Sequence, residues 1–332
     1  MKRLFLCFLA CAATANLRSE AFSGYILAAN RTNIAEVIDA STLETVARIR
    51  FDFRVERISG AGPLQLTVAG YTDGAACCTE YTLDLGTLRL TPRAPSTARD
   101  NFGPPIMSPD GRWGAGIRNF RGPALRMVDR TTGVGHDLIP TGLSLSEEVC
   151  GGNWAAQGTW SGDRFYLYVA CPHHSGLLWS VAPEATELGT EVQVDPFNQL
   201  PDCRHPLPVA RGLIAVGTEL FLYETAGSKG SRSCPVDAPG GLWMLDPLTG
   251  RLHDPIAQNL YFGEMQADRS GALLFGVVHA HLNSLGAAQL VAINPHNGKI
   301  AKSRDIQGGV LNISLATLGV VRGGDLKAVS PD

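Results

Sequence analysis

The sequence predicts an all-β chain built from repeated four-stranded antiparallel sheets, and three observations carry that prediction. The 37 glycines and 20 prolines among 332 residues are spread along the whole chain, at the short intervals that tight turns between short strands require. Aromatic and β-branched residues cluster between those turns, as strands favour. A strand–turn–strand unit also recurs through the sequence, and a fixed recurrence is the mark of a repeat architecture.

The unit is plainest between Tyr25 and Phe51. Tyr25 to Ala29 is an apolar strand, Asn30 to Asn33 a polar turn and Ile34 to Asp39 a second strand. A tight turn over Ala40 to Leu43 leads into a third strand, Val46 to Phe51. The same grammar returns around Asp84, Asp129, Ala182, Asp246 and Asn294, where Asp, Pro, Thr and Gly tolerate the reversal out of the third strand. Hairpin signals separate the copies, above all Ser108-Pro109-Asp110-Gly111-Arg112, then Ser161-Gly162-Asp163 and Asp268-Arg269-Ser270-Gly271. Four antiparallel strands recurring every 45–60 residues or so are the pattern of β-propeller blades. Six units are countable and Gly308 to Asp332 leaves room for another, so six or seven blades are expected. Tyr25 opens on the second strand of a blade, so the C-terminal segment, Val310 to Leu318 and then Leu326 to Asp332, is expected to close the ring by supplying the missing strand.

The N-terminus reads as an export signal over residues 1–21. Lys2 and Arg3 precede an apolar stretch from Leu4 to Ala13 that is too short to span a bilayer, with cleavage expected after Ala15 or Ala21. A lipid anchor at Cys11 is the rival reading of the same leader. Residues 22–332 then form a single propeller domain, secreted or periplasmic, with no transmembrane segment. A formal net charge of −3, with 18% charged residues and no basic stripe, gives no reason to expect nucleic acid.

These repeats resemble the YVTN-type bacterial propellers and, more loosely, the propeller subunits of amine dehydrogenases. The likeness rests on Tyr25 to Asn30, Val37-Ile38-Asp39 and Ser108 to Arg112. It implies a propeller with, in most relatives, seven blades. The amine dehydrogenase likeness implies that any quinone cofactor would lie on a separate subunit.

Strand order assigns the connections to two faces. With strands a to d running outward, the d–a and b–c connections share one end of the ring, and the a–b and c–d connections share the other. Six cysteines remain after the leader: Cys77, Cys78, Cys150, Cys171, Cys203 and Cys234. All map to the first end. An even set in an exported chain favours disulfides, and the blade map pairs Cys150 with Cys171 and Cys203 with Cys234. Cys77 and Cys78 are left to bridge each other or to pair elsewhere. His173, His174, His205, His279 and His281 map to the same end, where with Glu264 they form a candidate set for a divalent transition metal. Exposed loop histidines without a ligand are the plainer reading. Arg204, Tyr261 and Phe120 are candidate interface anchors there. The expectation is a scaffold binding a protein or small ligand through this face. The alternative is an enzyme or enzyme subunit, a metal-assisted hydrolase or an amine-dehydrogenase-like component, with a histidine site at the mouth.

Overall fold

The computed structural model describes residues 24–29, 32–62, 65–71, 79–93, 102–103, 105–118, 122–140, 155–171, 174–194, 210–224, 241–258, 260–268, 271–279, 287–307, 312–316 and 324–329. Every regular element among them is a β-strand. No helix among the described residues is long and apolar enough to cross a membrane.

The strands form six sheets, the blades of a propeller. Blade 1 takes β1 (Tyr25–Ala29), β2 (Ile34–Asp39) and β3 (Thr45–Arg50) from the N-terminus. Blade 2 is β4 (Arg54–Gly62), β5 (Gln65–Tyr71), β6 (Thr79–Asp84) and β7 (Leu90–Pro92). Blade 3 is β8 (Ile106–Met107), β9 (Trp113–Arg118), β10 (Ala124–Asp129) and β11 (Gly135–Leu138). Blade 4 is β12 (Ala155–Ser161), β13 (Arg164–Cys171), β14 (His174–Val181) and β15 (Val192–Gln193). Blade 5 is β16 (Ala210–Val216), β17 (Glu219–Glu224), β18 (Gly241–Leu245) and β19 (Leu252–Gln258). Blade 6 is β20 (Tyr261–Ala267), β21 (Leu274–His279), β22 (Ala287–Ile293) and β23 (Ile300–Gln307).

The C-terminal segment completes blade 1 at both edges. β24 (Asn312–Ala316) is its innermost strand, antiparallel to β1 with Tyr25 opposite Ala316. β25 (Gly324–Lys327) lies parallel to the outer edge of β3. The expected closure by the C-terminus therefore holds for β24, whereas Leu326 and Lys327 cover the outer edge instead of helping to fill the inner position. The count is six, because the residues that could have made a seventh blade complete the first. The innermost strands β24, β4, β8, β12, β16 and β20 each lie against the next, and β20 returns to β24.

The core lies between the blades, because successive side chains of a strand point to opposite faces. On β1, Leu27 and Ala29 pack toward blade 2 with Phe51 and Leu66, while Ile26 and Ala28 pack toward blade 6 with Phe275 and Leu290. On β17, Phe221 and Tyr223 join the cluster shared with blade 6, and Leu220 and Leu222 the one shared with blade 4. A middle strand buried on both faces has to read as a continuous apolar run, which is why YILAA and FYLYVA lack the alternation of a half-solvated strand. Polar stitches cross the same seams. Trp160 Nε1 of blade 4 donates to the Ile106 carbonyl of blade 3 at 2.9 Å, and Arg304 of blade 6 reaches the Leu43 carbonyl of blade 1 at 3.1 Å.

The recurring Asp or Asn has one structural job, anchoring the c–d turn. The carboxylate of Asp39 accepts the Ser41 and Thr42 amides, and those of Asp84 and Asp129 accept the Thr87 and Thr131 amides. Asp246 accepts the Leu248 amide and Asn294 the His296 amide. Four residues on, the chain passes through the left-handed region, at Gly133 (φ 71°), Gly250 (φ 73°) and Gly298 (φ 67°), where glycine bears no Cβ penalty. Leu43 (φ 62°) and Leu88 (φ 56°) hold the equivalent positions in blades 1 and 2. Blade 4 has no such anchor. Its third strand ends at Val181 and runs into Ala182-Pro183-Glu184, with ten residues before β15.

This construction makes the ring sensitive to truncation and to acid. Deleting residues 308–332 removes β24 and uncovers fully buried Ile26 and Leu27. Each such side chain is worth about 1.5–3 kcal/mol, so the loss of a strand rivals the whole ~5–15 kcal/mol margin of a folded domain. The truncated chain should aggregate or unfold, whereas ending at 323 should leave a folded ring with a lower melting temperature; thermal denaturation and sedimentation of both would decide. The acid response centres on Asp129. The Thr131 hydroxyl, then its amide and Arg112, hold the Asp129 carboxyl down at about 2 against burial. A depressed pKa contributes stability that is present above the ordinary value of 3.8 and is lost as the pH falls toward 2. Asp129→Asn keeps an accepting oxygen, so its melting temperature should fall less than the parent's between about pH 5 and pH 2.

Candidate functional site

The innermost strands run from the end carrying the d–a and b–c connections to the end carrying the short turns. The mouth at the first end is therefore ringed by the opening residues of all six innermost strands, and three of these strands, β4, β16 and β20, are irregular there. Register slips between Val55 and Arg57, between Ala210 and Gly212, and between Phe262 and Met265. A bulge places two residues opposite one and turns the side chains beyond it to new directions.

On β20 the effect is explicit. Phe262 pairs with Val278 and Met265 with Gly276, so Gly263 and Glu264 together oppose Val277. Phe262 and Met265, three apart, then point into the same cluster between blades 5 and 6, which strict alternation forbids. Glu264 is released from the core face toward the closing strand, and its Oε2 accepts the Ile313 amide of β24 at 3.0 Å. Burial raises the Glu264 carboxyl to about 7, only partly offset by the Ile313 amide. A neutral-pH carboxyl at the mouth can hold or release a proton, accept a donor from a ligand, or contribute one oxygen to a cation. On β4, the bulged Glu56 lies 2.7 Å from Arg54 Nε, and Arg57 reaches Glu80 at 2.6 Å.

Of the candidate metal ligands, Glu264 is the one whose side chain is described. His279 sits in β21 as the backbone partner of Tyr261, and His174 opens β14 opposite Cys171, each at the mouth end as the blade map expects; their side chains, and that of Tyr261, fall outside the described atoms. His173, His205, His281, Arg204, Phe120, Cys77, Cys78, Cys150, Cys203 and Cys234 lie outside the described residues. Among the described residues no three His, Cys, Asp or Glu side chains are grouped closely enough to hold a metal ion.

The structure also contains a feature that the repeat pattern does not announce. At the opposite end, between blades 3 and 4, a cavity of about 410 Å³ opens between the 108–112 turn, the 161–164 turn and the unanchored connection after Val181. Ser108 Oγ accepts the Trp113 amide at 2.9 Å and Asp110 the Arg112 amide at 3.0 Å, fixing the first of these turns. The one sequence signal for the cavity is Ala182, which stands where the other copies of the repeat carry an Asp or Asn.

Glu264 yields a pH test. A carboxyl raised on folding binds protons more tightly in the native chain, so stability is full below the unfolded value of 4.5 and is lost as the pH climbs to about 7. Glu264→Gln keeps an acceptor for Ile313 and removes the titration. Parent and variant should unfold alike near pH 4, with the variant gaining an advantage of about 3 kcal/mol that levels off above about pH 7. A pH-independent difference in chemical denaturation would show that the carboxyl is not desolvated.

No protein-family model matches the chain, and no curated protein matches it. Among solved structures it is similar to TolB from Acinetobacter baumannii, at 14% identity and a TM-score of 0.57, over 89% of this chain and 67% of that one. It is also similar, more loosely, to the Cps50 (Swd1) β-propeller domain of Myceliophteria thermophila, at 13% identity and a TM-score of 0.47, over 86% and 83%. The TolB likeness shows a shared propeller fold and no more. The YVTN-type and amine dehydrogenase resemblances are not borne out by these neighbours.

Proposed function

We propose that this chain is an exported binding scaffold that engages a protein or small ligand through the mouth end of the ring. The observation that carries the reading is the asymmetry of the connections. At the turn end, five c–d reversals are short and tied by an Asp or Asn. At the mouth end, residues 139–154, 194–209 and 225–240 join consecutive strands, far more chain than a hairpin needs. A rigid disc whose sequence is spent on loops at one end is the usual arrangement for recognition. The bulges of β4, β16 and β20 and the Glu264 carboxyl support the same end. Disulfides among the cysteines would fit this role as staples for long connections.

The test combines mapping with cross-linking. Non-reducing peptide maps of the exported protein should recover Cys150–Cys171 and Cys203–Cys234. A photo-reactive residue at Phe120 or Tyr261 should give a discrete adduct in the native host, and one at the exposed turn residue Leu248 should not. Adducts from Leu248 alone would place recognition on the wrong face, and free thiols throughout would remove the stapling.

A further inference from the structure

We infer that the ring parts reversibly between blades 2 and 3, a working joint that changes the width of the mouth whatever the mouth binds. Three observations converge on it. The first is what the seam is made of. Buried apolar clusters join blade 1 to blades 2 and 6, blade 4 to blades 3 and 5, and blade 5 to blade 6. Among the described residues, blades 2 and 3 share none. On β5 and β6, Leu66, Val68, Tyr81 and Leu83 point toward blade 1, so Gln65, Thr67, Ala69, Glu80, Thr82 and Asp84 face blade 3. The β6 sequence TEYTLD accordingly alternates, where a strand packed on both faces runs apolar throughout. The opposing wall of blade 3 carries Gly114, Gly116 and Arg118 on β9 and Arg126 on β10, since Ala115, Leu125 and Met127 belong to the seam with blade 4.

The second is how these polar groups are satisfied. On blade 2, Arg57 bonds Glu80 at 2.6 Å and Arg93 bonds Thr67 at 3.0 Å; on blade 3, Arg126 bonds Asp137 at 2.6 Å. Each of these bonds closes within one blade. The Phe102 ring lies 4.3 Å from the Arg126 guanidinium and 5.4 Å from that of Arg118, and the Gly103 amide donates to the Ile117 carbonyl at 2.8 Å. Phe102 therefore belongs to the wall of blade 3. Ser59 Oγ on blade 2 and Arg118 Nε on blade 3 are buried with no hydrogen-bond partner among the described residues. Parting leaves those intra-blade bonds intact and lets water reach two groups that closure leaves unsatisfied. Opening any of the clustered seams instead exposes fully buried Leu, Ile, Val or Phe side chains.

The third is how the c–d turns rest on the preceding blade. Leu43 of blade 1 packs into the seam with blade 6, and Leu88 of blade 2 against the seam with blade 1. A Cβ on Gly250 of blade 5 would collide with the Gln193 carbonyl oxygen of blade 4, and one on Gly298 of blade 6 with the Ile256 carbonyl oxygen of blade 5. Those two turns press backbone against backbone. Gly133, the equivalent residue of blade 3, has no described atom within 4 Å of its Cβ position. The turn that would rest on blade 2 stands clear. Five seams are thus fastened by apolar packing, and they hold the chain as one connected arc when the sixth parts. Parting moves the opening residues of β4, with the bulged Glu56, away from β8, and the mouth widens on that side.

Buried alanines on matched walls supply the test. Ala69 (3% exposed) and Ala124 (0%) face the joint from its two sides, while Ala47 (4%) and Ala115 (0%) face the clustered seams of blades 1–2 and 3–4. Each is changed singly to Cys in the full chain, and iodoacetamide labelling of the introduced thiol is followed by peptide-resolved mass spectrometry under native conditions. Ala69→Cys and Ala124→Cys should label at least about tenfold faster than Ala47→Cys and Ala115→Cys. The two joint positions should share one opening constant and a shallow urea dependence, because parting exposes little surface, whereas the controls should follow the steep dependence of global unfolding. Only variants melting with the parent are compared; Thr67→Cys (1% exposed) replaces Ala69→Cys and Ala28→Cys (4%) replaces either control where one does not. Equal protection at all four positions would overturn the joint. Different opening constants at Ala69 and Ala124 would show separate local fraying and would overturn it as well.

Discussion

Most blade faces are apolar, so no blade can stand alone, and this obliges the ring to close. β1 shows the constraint at its smallest scale. Its five residues divide between two inter-blade clusters, and removing either neighbour would expose Leu27 and Ala29 or Ile26 and Ala28. An open row of such sheets would end in two uncovered faces. The chain avoids that by running its C-terminus back into blade 1, so that the first and last segments share one hydrogen-bonded sheet. The tail continues past closure. Ala328 donates to the Arg50 carbonyl at 2.9 Å and Leu90 to the Val329 carbonyl at 2.8 Å, so one short segment ties the outer edge of blade 1 to blade 2.

Closure dictates how polar groups can be used. With most blade faces committed to apolar packing, polar chemistry is left mainly to the two ends of the ring and to the innermost strands. The turn end is built economically, each reversal held by a carboxylate or amide that takes the amides a hairpin would leave unpaired. Those carboxylates, at Asp39, Asp84, Asp129 and Asp246, are held below the ordinary range by their turns, a structural use of charge that can be mistaken for a site. The mouth end is organised differently. There the bulges of the inner strands turn individual side chains out of the core alternation, and Glu264 bonds the closing strand across the seam. It is at once a mouth residue and a contact that depends on closure.

The repeat, its apolar strands and its turn anchors could all be read from the sequence because they are local. An Asp followed by Ser or Thr accepts amides two and three residues on, and a middle strand buried on both faces writes an unbroken apolar run. Tyr25 opening on a second strand likewise announced that the missing strand must come from the other terminus. Six blades against seven depended on where residues after Gly308 pair, which is a long-range contact with no local signature. The same holds for Glu264. Its type and strand were legible, but its burial and its raised pKa come from a bulge and from an amide 49 residues away in the chain. The cavity needed Asp163 and Glu184 brought beside Trp113, and only adjacent blades meeting across a seam could do that. Sequence alone determined the strands, the turns and the two-ended architecture, because short-range geometry suffices for them. The tertiary structure decided the blade count, the environment of Glu264 and the existence of the cavity, because each is a meeting of residues that only ring closure brings together.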